Sequence, residues 1–240
     1  MPRDAPPADP IDPEAPVSRG GASDSPAATR LAQGLSHVVN PLVLPPLLFG
    51  LVLAHLGAPL SEIGWAVSVG FVFFALLPLA YVARLWRGAR VASMEVPDRA
   101  ARWRPLLVSV AAYLGAVLTL WTTAETGAAL LAALAGIHAG NTLLILGVTL
   151  RWKISIHTAA LGSFISMLLF VAQTPWPDRA LQEALLTPAA VGVLVVLLVA
   201  LAWARVRVGA HTPTQAAGGA AFGLALPYAE LAALGYGGVV

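Results

Sequence analysis

"GAALLAALAGIHAGNTLLILGVTL", residues 127–150, runs for 24 residues without an Asp, Glu, Lys or Arg. About 20 apolar residues in a helix cross the ~30 Å hydrocarbon core of a bilayer, so this stretch reads as a transmembrane span. Working outward, similar apolar stretches recur near 36–57, 63–84, 105–123, 156–173, 187–204 and 214–236. They are uniformly apolar rather than alternating, which excludes a closed β-barrel, and the backbone must then be satisfied inside helices. The expected fold is an all-α polytopic transmembrane helix bundle of about six or seven spans. The lower count arises because only "AET" joins 105–123 to 127–150, so one of that pair could be a re-entrant hairpin or a shorter helix.

Composition agrees. The chain is 58% hydrophobic and 11% charged, with a mean hydropathy of +0.78, against about 25% charged in soluble domains. The formal net charge of +2 carries no signature of a nucleic-acid partner. With no cysteine, disulfides, thiolate catalysis and thiolate metal sites are excluded. Residues 1–34 divide from 35–240. The first 30, "MPRDAPPADPIDPEAPVSRGGASDSPAATR", are Pro-, Ala-, Asp- and Gly-rich without apolar periodicity, so a disordered N-terminal tail is expected. It has no apolar core of the kind an export signal needs.

The basic residues fix an orientation. With seven spans, one face collects Arg3, Arg19, Arg30, Arg84, Arg87, Arg90, Arg99, Arg102, Arg104, Arg151, Lys153, Arg205 and Arg207, and the other holds Arg179 alone: 13 of the 14 against one. The positive-inside rule makes the rich face cytoplasmic. The expected location is the plasma membrane of a prokaryote.

Three loops on that face carry nearly all the reactive side chains: "VPDRAARWRPLL" (96–107), "KISIH" (153–157) and "RVRVGAHTPTQ" (205–215). Two spans separate each from the next, so all three return to one side and converge. Guanidinium forks suit phosphate oxygens. Pro105, Ile156 and Pro213 stand at or near helix starts, where backbone N–H groups and the dipole favour anions. Two histidines, one in each of the last two loops, supply the nucleophile and general acid that phosphoryl transfer from an ester needs.

The spacing Arg104-Pro105, then Ser155-x-His157, then Arg205-x5-His211 resembles the type 2 phosphatidate phosphatase superfamily, which also contains the vanadium haloperoxidases. The resemblance spans about residues 90–225. It implies that His211 attacks phosphorus to give a phosphohistidine, that His157 protonates the leaving alkoxide, and that Arg104, Arg205 and Ser155 hold the phosphate oxygens. Residues 35–240 would then be a transmembrane phosphatase-like domain acting on a lipid phosphate or diphosphate drawn from the bilayer, with no metal or other cofactor. The alternative is a weak or inactive member that binds or translocates phospholipid head groups. Oligomeric state stays open.

Four departures stand out. Pro97 occupies the position of the family's first-motif lysine, with Arg99 the substitute. Ile154 and Ile156 flank Ser155 where the family has Pro and Gly. Ala204 precedes Arg205 in place of Ser. Gln215 stands where an aspartate would orient the nucleophilic histidine; its amide oxygen can accept from the imidazole, without the charge. Gln215 equally reads as the far end of a capping box with Thr212 and Pro213. Lys153 is a phosphate-binding candidate that equally reads as a lysine snorkelling at a helix end. His138, Asn141 and Glu230 lie at membrane depth, where functional roles and helix–helix hydrogen bonds are equally good accounts. The runs "GAALLAALAG" and "AAGGAAFG" read as close helix-packing faces.

Overall fold

The computed structural model describes residues 25–89, 103–174 and 180–236. Among them the chain is helical throughout, with no strand: α1 (Pro26–Val38), α2 (Leu44–His55), α3 (Leu60–Gly70), a π-helical segment (Phe71–Leu76), α4 (Leu77–Arg87), α5 (Trp103–Thr123), α6 (Ala128–Thr149), α7 (Ile156–Gln173), α8 (Ala180–Leu185), α9 (Pro188–Arg207) and α10 (Pro213–Ala233). The protein is an all-α integral membrane bundle. Five helices are long and apolar enough to cross: the continuous rod Leu60–Arg87, then α5, α6, α7 and α9.

Two expected spans come out differently. The stretch 36–57 is not one helix. Asn40 precedes Pro41, and a residue before proline is driven out of the helical region; the Asn40 side chain then accepts the Leu42 N–H at 2.9 Å and closes a turn. Only the 12 residues of α2 remain, roughly 18 Å of helix, too short to cross. The stretch 214–236 becomes α10, 21 residues long but outside the five, because Gly, Pro, Thr, Gln, Tyr and Glu dilute its apolarity. Residues 26–34, expected in the tail, belong to α1. Pro26 starts that helix, and Ala32, Ser36 and Val39 bury one side while Leu31 and Val38 stay exposed; α1 packs on α9. Residues 1–24 lie outside the described residues.

The pair α5 and α6 forms two full-length helices packed side by side, so neither is re-entrant. Glu62, in the first turn of α3, holds their connection by accepting the N–H groups of Glu125 (2.8 Å) and Thr126 (2.6 Å) and the Thr126 hydroxyl (2.8 Å).

Helix α7 is the centre of the bundle, buried along most of its length, and α10 lies against it. Lipid offers no hydrophobic drive between helices, so close packing of small residues supplies the contact. A Cβ on Gly219 would fall 2.5 Å from the Ser155 carbonyl oxygen, one on Gly223 would fall 2.8 Å from the Ser163 nitrogen, and one on Gly162 would fall 3.0 Å from the Ala220 oxygen. The glycine-rich run is a packing face, as its sequence suggests. Bulky side chains on α5 and α9 that point outward (Leu114, Leu118, Val193, Val196, Val199) are exposed and face lipid.

Candidate functional site

The site grows from the two helix starts that the α7–α10 contact brings together. Helix α9 ends in a Schellman motif: Gly209 takes a left-handed φ of +71°, its N–H donates to the Val206 carbonyl, and Ala210 N–H donates to the Arg205 carbonyl. A glycine at this position makes that reversal without a Cβ clash. His211 N–H also donates to the Arg205 carbonyl, at 3.2 Å. The five-residue spacing between Arg205 and His211 is therefore the length of one helix stop. Thr212 then caps α10 and Pro213 opens it. On the other side Ser155 caps α7. Two cross-links tie the helix starts: Ser155 N–H donates to the Gln215 carbonyl at 3.2 Å, and Thr158 hydroxyl donates to the Ala216 carbonyl at 2.9 Å.

Beside this junction lies a cavity of about 750 Å³. Lys153, His157, Arg205 and His211 line it together. Arg205 and His211 are 4% and 8% exposed, and Lys153 and His157 are half-buried. No lining residue is Asp or Glu. The cavity continues between Leu79 and Val82 of α4, Leu106, Ser109 and Tyr113 of α5, and Thr142 and Ile145 of α6. The lining combines these cationic side chains with a mostly apolar set from α4, α5 and α6 that carries a few hydroxyls. A proline-linked distortion shapes that wall. Pro78 has no N–H to donate, and the turn before it is π-helical, with Leu77 N–H reaching back five residues to Val72.

Gln215 makes both contacts that its position suggested. Its side-chain oxygen accepts the Thr212 N–H at 3.2 Å, completing the capping box. The same oxygen lies 3.2 Å from Nδ1 of His211. A backbone N–H can only donate, so the oxygen end of the amide faces this junction and Nδ1 must carry the proton. In the neutral ring Nε2 then keeps the lone pair. The tautomer follows from the cap.

Two candidates sit elsewhere. Ser155 is fully buried, with its hydroxyl accepting the Thr158 N–H at 3.5 Å; it positions α7 and does not line the cavity. Arg104 is exposed, its guanidinium 4.9 Å from the Trp103 ring centroid. The face of α5 that lines the cavity carries Leu106, Ser109 and Tyr113, and Arg104 is not on it. Arg99 lies outside the described residues. The cavity also gains residues the motifs did not signal: Gln33, Ser36 and His37 of α1, and Asn40 in the turn after it.

The polar groups at membrane depth make a helix tie. Asn141 of α6 donates to Glu230 of α10 at 2.9 Å, which favours the helix–helix account for that pair. His138 meets Phe74 edge-on at 5.5 Å. Among the described residues no group of three or more His, Cys, Asp and Glu could hold a metal ion.

Fold and site together define a polytopic helical membrane protein with an amphiphilic cavity lined by cationic side chains, histidines and apolar residues. No family model, curated protein or solved structure matches the chain. The likeness to the phosphatidate phosphatases accordingly rests on motif spacing alone.

Proposed function

We propose that the protein is a divergent relative of the type 2 phosphatidate phosphatases, a membrane-embedded hydrolase of a lipid phosphate or diphosphate such as phosphatidate or a polyprenyl phosphate. The observation that carries the reading is the shared wall: Lys153, His157, Arg205 and His211 line one cavity without a carboxylate. Phosphate oxygens pair with Lys153 and Arg205, and the apolar lining from α4, α5 and α6 takes the chain. Nε2 of His211 attacks phosphorus as the P–O bond to the lipid breaks. His157, protonated, gives its proton to the departing alkoxide and so releases a neutral alcohol. Water then attacks the N–P bond while His157 takes its proton, and inorganic phosphate leaves. Gln215 holds the His211 ring in the reactive tautomer but contributes no charge to the imidazolium that develops.

The segments 84–104, 151–153 and 205–207 carry ten basic residues against Arg179 alone on the opposite face. That count does not depend on whether 36–57 crosses, and it supports a cytoplasmic cavity in the plasma membrane of a prokaryote. A second reading is a head-group binder or translocator that does not turn over. Two observations favour it: Arg104 stands outside the cavity, and the orienting group on His211 is neutral. Phosphate release from a panel of lipid phosphates by the purified protein separates the two. Release that disappears in His211→Ala supports the phosphatase. Saturable binding of the same lipids without any release supports the binder.

A further inference from the structure

We propose that α1 and the turn after it form a wall of the phosphate pocket, with the Asn40 side-chain amide donating to a phosphate oxygen in the place left by Arg104. The proposal rests on the reading of the cavity as a phosphate site. The cationic arms on the wall, Lys153 and Arg205, come from the α6–α7 loop and from α9, and α5 adds no charge. Asn40 lines the same cavity and is half-buried. Its side-chain oxygen is committed to the Leu42 N–H at 2.9 Å, which fixes the amide's orientation. What it has left to offer is the NH₂ group, a donor only. A donor on the wall of a cavity with no carboxylate calls for an acceptor that the ligand brings. Ser36, one turn earlier, also lines the cavity, is 5% exposed, and its hydroxyl has no partner among the described residues. His37 and Gln33 extend the same polar strip.

Two substitutions separate the turn from the donor. Asn40→Asp keeps an oxygen for the Leu42 N–H, since Asp closes such turns as Asn does, but replaces the NH₂ with an anionic oxygen. Asn40→Ser is a neutral turn former without the amide. The probe is orthovanadate, titrated against the purified full-length protein by thermal shift, with Lys153→Met as the control for the anion site. Both Asn40 variants should unfold near the wild-type temperature without vanadate. Asn40→Asp should bind at least about tenfold more weakly and Asn40→Ser several-fold more weakly, as loss of a hydrogen bond to a charged group predicts. Weakening in Asn40→Asp with wild-type affinity in Asn40→Ser would mean repulsion through space and overturn the contact. Wild-type affinity in both, with binding lost in Lys153→Met, would overturn the role of Asn40 and leave the phosphate site standing. Wild-type protein that binds no vanadate would overturn both.

Discussion

Replacing Gln215 with glutamate adds one charge where the structure leaves room for it. The side chains have equal length, so a carboxylate oxygen of Gln215→Glu can keep both the Thr212 N–H and the His211 Nδ1–H, each 3.2 Å away. Threonine with glutamate is itself a capping box, and a carboxylate in the first turn of α10 suits the helix dipole. Stability should hold within about 0.5 kcal/mol. The rate should not. Unit charges 3.2 Å apart attract by on the order of 5 kcal/mol at an effective dielectric of 20, which bounds what the carboxylate can add once Nε2 attacks and the ring becomes cationic. Removing the charge of the equivalent aspartate in a serine-protease triad costs about 10⁴ in rate, a similar ceiling. Desolvation of the carboxylate and its repulsion of the phosphate beyond the ring take back part of this. We expect kcat for a short-chain lipid phosphate in micelles to rise between about tenfold and a hundredfold, with a smaller rise in KM. Gln215→Asp is about one bond shorter, cannot reach both donors, and should gain less. A Gln215→Glu protein with the wild-type unfolding temperature and a kcat that is equal or lower would refute the orienting role.

Gly219→Val should force α10 off α7, because its Cβ would sit 2.5 Å from the Ser155 carbonyl oxygen; a loss of about 1–3 kcal/mol and of phosphate release is expected, read by thermal unfolding and the activity assay. Arg104→Ala should leave vanadate affinity within about twofold, since an exposed arginine contributes little; a tenfold loss would bring Arg104 into the pocket. Because the chain has no cysteine, Ala210→Cys gives a single label site, and an impermeant maleimide should reach it only from the cytoplasmic side.

The bundle was legible because uniform apolarity over span length leaves the backbone only one way to satisfy its hydrogen bonds. It misled at 36–57, where hydropathy is continuous across Asn40-Pro41 and the break lies in backbone chemistry rather than polarity. The spacing of Arg205 to His211 carried real geometry, since a helix stop at Gly209 has a fixed length, and so did the Thr212–Gln215 cap. Ser155 and Arg104 were less legible. A buried serine cap and a phosphate-binding serine share one sequence signature, and the helical phase that turns Arg104 outward depends on how α5 packs. The contribution of α1 to the cavity wall could not be read at all: α1 carries Gln33, Ser36 and His37, with Asn40 in the turn after it, and packs on α9, a contact between segments 150 or more positions apart.

The most direct test of the central claim, that His211 is the nucleophile of a single phosphate site, is covalent. Wild-type protein would be mixed with a lipid phosphate labelled in its phosphoryl group, quenched in alkali, digested and mapped by mass spectrometry. The phosphoryl group should be found on His211, and labelling should vanish in His211→Asn and fall sharply in Arg205→Lys. Phosphate release with no label on His211, or label on another residue, would contradict the account.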